Sequence, residues 1–269
     1  MAFPFNKSAK VTTIYKTLFL LLIYILVSST STLAAEPYTT DIGKKVYEQL
    51  SSSSRSDEHR ARDANRKPVE TLKYFGLKDD MTVVELLAGS GWHTSILAPV
   101  LKDKGKLYVS IGTQRLEPHI DKYDIRDMIE IIGKVEGFAK TDMPGYIFNI
   151  ASVDLGVKDV DLLLTFRNVH NLNARVRKVV NDAAFKALMP SDIYGVIDHT
   201  KRNMQPFNEE TWRRIDSALV IKEVLDAGFE LVGYSDMRAI AENGLVHDTT
   251  HESLKTNTDR FALKFRNSE

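Results

Sequence analysis

Residues 83–98, VVELLAGSGWHTSILA, constrain the fold more than any other stretch of this sequence. An apolar run ends near Glu85, small residues form a turn at positions 88–91, and an apolar segment with helix-like spacing follows. Many α/β proteins hold a nucleotide-like cofactor with this order of strand, glycine turn and helix. A tight turn between a strand and a helix also occurs without any ligand, so the stretch alone leaves both interpretations open.

Strands and helices alternate along the rest of the chain. The pattern predicts strands at residues 82–87, 106–111, 161–166, 194–198, 229–234 and 261–265, and helices at 40–50, 173–188 and 211–227, with another helix starting at Pro68. Residues 128–132 fit either a helix end or a third strand. Alternation of this kind favours a mainly parallel sheet covered on both faces, which binds ligands beyond the carboxyl ends of its strands.

Composition excludes several classes of function. The 269 residues include 36 basic and 36 acidic side chains, so the net charge is zero and nothing indicates a nucleic-acid partner. The hydrophobic content of 43% is ample for a core. The chain has no cysteine, which excludes disulfides, thiolate metal sites and a cysteine nucleophile. No pattern in the sequence indicates an oligomeric state.

Residues 1–35 have the features of a secretory signal peptide. Three lysines are the only charged residues before Glu36, residues 17–27 form an apolar run, and small residues follow. The run is short for a membrane span, which needs about 20 residues. We predict cleavage near Ala34 or Ala35, export to the periplasm and no stable membrane span afterwards. The alternative is an uncleaved anchor through residues 17–27.

The order of motifs resembles the class I S-adenosylmethionine-dependent methyltransferases. Within that family the chain is most similar to an exported bacterial group of predicted methyltransferases. The resemblance runs from about Arg60 to the C-terminus through RDANRKPVE, GLKDDMTVVELLAGSGWHTSILAPVLKDKGKLY, VDLLLTFRNVHNL, AFKALMPSDIYGVIDH, AGFELVGYSD and FALKF. TFRNVHN, at residues 165–171, is more distinctive than the glycine turn.

The resemblance implies a fold and a division of the chain. The fold is α/β and Rossmann-like, with a mainly parallel seven-stranded sheet, an antiparallel last strand and helices on both faces. Residues 36–80 would form a helical lid segment, whose charged residues Arg60, Arg62, Asp63 and Arg66 lie over the site. Residues 81–269 would form the methyltransferase-like domain. A solvated face is the plainer interpretation of that charge run.

The resemblance also assigns a cofactor, S-adenosylmethionine, and the residues around it. These are Glu85, Leu87, Ala88, Gly89, Gly91 and Trp92 in the first strand, the turn and the residue behind it, and Asp154 as an adenine contact. Physical reasoning agrees for the turn, since small residues let a ligand approach the backbone and helix-start amides meet a carboxylate. For Trp92, packing in the core is the alternative role.

The sequence departs from the family pattern in two places. Leu87 stands where the usual loop has its first glycine, so an isobutyl group intrudes. The second strand ends in VSIGTQ without the carboxylate that usually binds the ribose hydroxyls, unless Gln114 or Glu117 replaces it. Charged hydrogen bonds are worth about 1–3 kcal/mol each, so both departures predict weak or lost cofactor binding.

Polar residues at two predicted strand ends are candidates for chemistry on a small-molecule substrate. After residues 161–166, His170 could be a base, Asn168 an anchor, and Arg167 a clamp for a carboxylate or phosphate. Capping of the next helix and pairing with the charges at 57–66 are the structural alternative. His199 follows Asp198 at the end of the next strand, where Asp198 could orient a histidine or cap a loop.

His247 and His251 have a spacing that two zinc ligands on a helix would have. The intervening residues DTT are poor helix formers and no third ligand is evident, so we predict no metal site. Two functions from different classes remain. One is an exported methyltransferase acting on a small molecule or envelope component, and the other is a lapsed methyltransferase fold that binds a ligand or partner.

Overall fold

The computed structural model describes residues 40–143, 147–240, 245–255 and 257–269. A seven-stranded sheet forms its centre. The strands are β1 (Thr82–Leu86), β2 (Lys106–Ser110), β3 (Ile129–Ile131), β4 (Val160–Phe166), β5 (Leu188–His199), β6 (Phe229–Arg238) and β7 (Arg260–Asn267). Two short antiparallel pairs, Lys134–Glu136 with Ser152–Asp154 and Ala139–Lys140 with Phe148–Asn149, lie outside this sheet.

The strand order is β6-β7-β5-β4-β1-β2-β3. Every neighbouring pair from β5 to β3 is parallel, whereas β7 runs antiparallel to both β5 and β6. The carboxyl ends of β1, β4 and β5 therefore meet at one edge of the sheet. The predicted seven-stranded, mainly parallel sheet with an antiparallel last strand is confirmed.

Helices cover both faces of the sheet, as predicted. The helices are α1 (Asp41–Leu50), α2 (Asp57–Arg60), α3 (Asp63–Arg66), α4 (Pro68–Phe75), α5 (Thr94–Leu101), α6 (Glu117–Ile120), α7 (Ala174–Ala187) and α8 (Ser217–Leu225). Val84 and Leu86 of β1 share a buried cluster with residues of α7 and α8. Val83, which precedes Val84, packs with α1, α4 and α5 on the other face, as the alternation of a strand requires.

The N-terminal helices share a core with the sheet. Val46 of α1 and Leu72 of α4 belong to the same buried cluster as Ile96 of α5. Local signals set the helix ends: Thr40 caps α1 by accepting from the Gly43 amide at 3.2 Å, and Pro68 opens α4. The boundary between a lid segment and a domain at residue 80 stays a prediction.

Several element ends differ from the sequence-based prediction. The strands predicted at 82–87 and 106–111 each end one residue early, because Leu87 and Ile111 have φ of 56° and 62° and leave the extended conformation. The helix predicted from residue 211 begins at Ser217, where the Asp216 side chain accepts from the Ala218 amide at 2.9 Å. Of the two alternatives for residues 128–132, the strand is right.

The predicted signal peptide lies outside the described residues. Within the ranges described, no helix combines the length and the apolar character that crossing a membrane requires.

Candidate functional site

A cavity of about 890 Å³ lies at the carboxyl ends of β1, β4 and β5. Small-molecule sites usually measure roughly 300–1,000 Å³, so this volume accommodates a large ligand or two small ones. Its wall includes residues that follow the strands, residues of the N-terminal helices and residues near β7, among them Leu87, Gly89, Arg167, Asn168, His170, His199, Arg62, Arg66, Thr258 and Arg260. The four predicted catalytic residues are therefore brought together.

The glycine turn exposes its backbone at one residue. Gly89 has φ of 61°, lines the cavity, and leaves open space where a Cβ would stand, with no described atom within 4 Å. Gly91 has φ of 80°, but a Cβ there would lie 2.5 Å from Leu116 Cδ1, so its role is packing. Ala88 is half-buried and is not part of the cavity wall. Gly89 is thus the residue of this turn that a ligand can approach closely.

Three non-glycine residues at strand ends have left-handed backbone conformations. Leu87, Ile111 and Arg167 follow β1, β2 and β4 with φ of 56°, 62° and 62°. The sheet holds two of them in place, because the Leu87 amide donates to Ser110 O at 3.0 Å and the Arg167 amide to Ile197 O at 2.7 Å. Such conformations cost about 1–3 kcal/mol each and cluster at functional sites.

Glu85 lies behind the glycine turn instead of on the cavity wall. Its side chain is 1% exposed and accepts a hydrogen bond from Thr94 Oγ1 at 2.6 Å. Burial raises the pKa of Glu85 to about 7, and this effect outweighs the opposing effects of Thr94 and Arg66. Near neutral pH the carboxyl group is therefore partly protonated.

His170 and Asp198 form a buried pair across β4 and β5. Asp198 Oδ1 lies 2.6 Å from His170 Nδ1, and Asp198 also accepts from the His170 amide at 2.9 Å and the His199 amide at 2.7 Å. A carboxylate only accepts, so the ring donates through Nδ1. The lone pair of the neutral ring is then on Nε2, the nitrogen left for a molecule in the cavity.

His199 is held by the segment that precedes β7. Its Nδ1 lies 2.8 Å from Thr258 Oγ1, which also accepts from Arg260 Nε at 3.1 Å. Burial, followed by nearby arginines, lowers the pKa of His199, so the ring is neutral. The rings of His170 and His199 lie 5.7 Å apart, and both residues line the cavity.

Asn168 joins the ends of two strands. Its amide Nδ2 donates to Leu87 O at 2.8 Å and to Phe166 O at 2.9 Å. Both donor hydrogens are used, which leaves Oδ1 as the polar atom that Asn168 can offer to a ligand.

Trp92 connects the turn to the N-terminal helices. The indole is 4% exposed, and its Nε1 donates to His59 O at 3.0 Å. The Arg66 guanidinium lies 4.4 Å from the ring centroid. Arg62 and Arg66 of the predicted lid line the cavity, whereas Arg60 is exposed and pairs with Asp57.

Asp154 and the two residues that could replace the ribose carboxylate also lie away from the cavity wall. Asp154 is exposed on the Ser152–Asp154 strand, and its Oδ1 accepts from the Gly156 amide at 2.9 Å. After β2, Gln114 and Glu117 are exposed and away from the wall, while Arg115 lines it. No acid among the described residues of the cavity wall therefore replaces the missing ribose carboxylate.

Sequence reasoning missed several residues of the wall. Thr249, Thr250, Thr258 and Arg260 come from the segment before β7, and Trp212 and Arg213 from the turn before α8. The segment before β7 lacks periodicity, and Trp212 and Arg213 were assigned to the predicted helix, so no local signal marks either segment as part of a site. His247 and His251 stack with ring centroids 4.0 Å apart, and the described residues contain no group of three metal-ligating side chains.

Comparison with known proteins identifies the fold. No protein-family model matches the chain, and no curated protein matches it in sequence. A SAM-dependent methyltransferase from Aquifex aeolicus is 18% identical with a TM-score of 0.52, and the match covers 83% of this chain and 97% of the other. Human N-acetylserotonin methyltransferase, solved with SAM, is 12% identical with a TM-score of 0.50 over 86% of this chain and 58% of its own.

This chain has the class I methyltransferase fold. The [4+2]-cyclase SpnF also shares it, at 12% identity and a TM-score of 0.52, over 85% of this chain and 93% of its own. Since a protein described as a cyclase has the same fold as the methyltransferases, the fold does not specify the reaction. Function has to be argued from the cavity.

Proposed function

We propose that this chain transfers a methyl group from S-adenosylmethionine to an oxygen or nitrogen atom of a small molecule. The observation that carries the proposal is the His170–Asp198 pair, with Nδ1 and Oδ1 2.6 Å apart, on the wall of a cavity that Gly89 also lines. Oxygen and nitrogen nucleophiles must lose a proton during transfer, and a neutral histidine oriented by a carboxylate is suited to accept it.

The glycine turn fits the methionine end of the cofactor. Gly89 has open space at its Cβ position, so a ligand can approach the backbone there. Glu85, the acid that the resemblance assigns to this end, lies behind the turn with Thr94 as its hydrogen-bond partner. The fit is poorer at the ribose, because the described residues of the cavity wall include no aspartate or glutamate to bind its hydroxyl groups. We therefore expect weaker cofactor binding than a typical member of this fold shows.

When bound, S-adenosylmethionine would supply the methyl group: the lone pair of the nucleophile forms the new bond to carbon, and the electrons of the broken carbon–sulfur bond stay on sulfur. His170 Nε2 takes the proton of the hydroxyl or amine, and Asp198 stabilises the resulting imidazolium through Nδ1. His199 lines the cavity beside His170 and contacts the methyl acceptor. Asn168 keeps the ends of β1 and β4 at a fixed separation. The proton on His170 then passes to water.

A second candidate is a protein that binds a ligand in this cavity without methyl transfer. Leu87 at the usual glycine position and the lack of a carboxylate on the described cavity wall favour it. The predicted export favours it as well, because S-adenosylmethionine is made in the cytosol. We propose that residues 1–35 direct export to the periplasm. N-terminal sequencing of the mature protein tests this, and a start at Ala35 or Glu36 is expected.

The experiment that separates these candidates is a calorimetric titration with S-adenosylmethionine and S-adenosylhomocysteine. Gly89→Trp fills the cavity beside the turn, and Gly156→Trp is the matched control. The φ of Gly156 is 68°, close to the 61° of Gly89, and a Cβ at Gly156 would also meet no described atom within 4 Å. Gly156 does not line the cavity, however. Micromolar binding that Gly89→Trp abolishes and Gly156→Trp retains supports the proposal. No binding up to millimolar concentration by folded protein overturns it and leaves the second candidate.

A further inference from the structure

The cavity wall is rich in cations. Six arginines and one lysine line it: Arg62, Arg66, Arg115, Arg167, Arg213, Arg260 and Lys140. No aspartate or glutamate is among the described residues of the wall. The chain as a whole has 36 basic and 36 acidic side chains, so this imbalance is local. A cavity whose wall is positively charged concentrates negatively charged ligands.

Two of these arginines make no direct ion pair with a described residue, although the buried Glu85 lies close enough to Arg66 to interact with it electrostatically. Arg62 pairs with Glu58, and Arg213 pairs with Asp248. In the described part of the chain, by contrast, neither Arg66 nor Arg167 forms an ion pair or a side-chain hydrogen bond with an acid. Asp198, the acid that acts electrostatically on Arg167, is already engaged by His170 and the His199 amide. These two guanidinium groups thus keep their donors for a molecule in the cavity.

Burial makes this arrangement costly for the free protein. Arg66 is 4% exposed, and its guanidinium lies over Trp92. Burial lowers the pKa of Arg66, and the positive charges of Arg167 and Arg260 lower it further. Buried charges in proteins are normally paired. A cluster kept without its anions is the arrangement expected of a site whose ligand supplies them.

We propose that Arg66 and Arg167 bind an oxyanion group, a carboxylate or a phosphate, of the small molecule that occupies this cavity. The inference deepens the proposed function and rests on it only in identifying that molecule as the methyl acceptor. Arg167 lies three residues before His170, so an anion held there places the rest of the acceptor near the base. Arginine suits this role because its planar fork binds both oxygens of a carboxylate or phosphate.

Tryptophan fluorescence provides a direct test. The chain has two tryptophans, Trp92 and Trp212, and both line the cavity. The probes are citrate for carboxylates and pyrophosphate for phosphates, titrated at low salt without any methyl donor, with neutral glycerol as the blank. The variants are Arg66→Met and Arg167→Gln. The matched control is Arg266→Gln, which removes an arginine that pairs with Glu230 on β6, outside the cavity.

We expect at least one anion to quench or shift the fluorescence with submillimolar affinity, weakened tenfold or more in both cavity variants and unchanged in Arg266→Gln. Preference for citrate or for pyrophosphate identifies the group. No response up to 10 mM, or equal weakening in the control, overturns the inference. Circular dichroism checks that each variant is folded. Because no methyl donor is present, this result and the calorimetric titration can fail independently.

Discussion

His170 Nδ1 lies 2.6 Å from Asp198 Oδ1, and the same carboxylate accepts hydrogen bonds from the backbone amides of His170 at 2.9 Å and His199 at 2.7 Å. The carboxylate is fully buried, so three donors replace its water. This arrangement fixes the histidine as an Nδ1-protonated ring with its Nε2 available to a ligand. Asp198 is therefore a positioning residue, which acts on a ligand only through His170.

The first prediction concerns Asp198→Asn. The asparagine side chain keeps one acceptor oxygen, but its NH₂ group replaces the other. That NH₂ group faces a donor that the Asp198 carboxylate accepts from, so His170 no longer prefers a proton on Nδ1. We expect the free energy of unfolding to fall by about 1–3 kcal/mol. ¹⁵N NMR of the imidazole rings should show a pyrrole-type Nδ1 in the wild type and mixed tautomers in the variant.

His170→Gln identifies the resonance and serves as the control for that experiment. An Nε2-protonated His170 in the wild type would contradict the assignment of this residue as a base. Urea denaturation of the same two variants separates the loss of stability from the change of tautomer.

The elements of this fold were predictable where the signals are local. Alternating apolar residues and the turn around Gly89 predicted β1 and α5, and Asn173 and Pro68 marked helix starts that the structure confirms. The same reasoning placed His170 and Asp198 at the ends of successive strands. Their contact follows from the sheet order, in which β4 and β5 are neighbours.

Long-range contacts were not predictable in the same way. Arg260 Nη1 donates to Asn65 O at 2.9 Å across 195 positions, and no periodicity links the two. The left-handed conformation of Leu87 also has no local signal, because leucine normally avoids it. The predicted helix at residues 211–227 exists, but its start at residue 211 was wrong, because the apolar spacing continues through Asp216, the residue that caps α8.

The second prediction is a pH dependence caused by Glu85. Its pKa is raised to about 7 in the folded protein, against 4.5 for an unburied glutamate. Between these values the unfolded chain releases a proton that the folded chain keeps, so stability falls as pH rises from about 4.5 to 7. The shift corresponds to about 3 kcal/mol. Glu85→Gln keeps an oxygen that accepts the hydrogen bond from Thr94 but removes the carboxyl group that titrates.

Urea denaturation at pH 4.5 and pH 7.5 measures this effect. We expect Glu85→Gln to gain stability relative to the wild type at pH 7.5 and to lose that advantage at pH 4.5. An equal difference between variant and wild type at both pH values would show that folding does not raise the pKa of Glu85.

The third prediction concerns Leu87, whose φ is 56°. Leu87→Gly relieves a conformation that costs about 1–2 kcal/mol and removes an isobutyl group from the cavity wall. We expect S-adenosylhomocysteine to bind several-fold more tightly. Leu87→Ala is the control, since it opens the wall but keeps the Cβ and its strain. If both variants bind S-adenosylhomocysteine more tightly, the isobutyl group of Leu87 blocks the ligand. If only Leu87→Gly does, the backbone conformation is the cause. No change in either variant contradicts the prediction.

The last prediction separates stability from ligand binding at Arg66. Arg66→Met keeps an unbranched side chain packed on Trp92 and removes a buried charge that four other arginines repel. Replacing buried charges with apolar groups often stabilises proteins by about 1–4 kcal/mol, so we expect the unliganded variant to unfold at higher urea concentration than the wild type. Citrate or pyrophosphate should stabilise the wild type and leave the variant unchanged. If Arg66→Met is less stable without ligand, the guanidinium contributes to folding through contacts other than a bound anion.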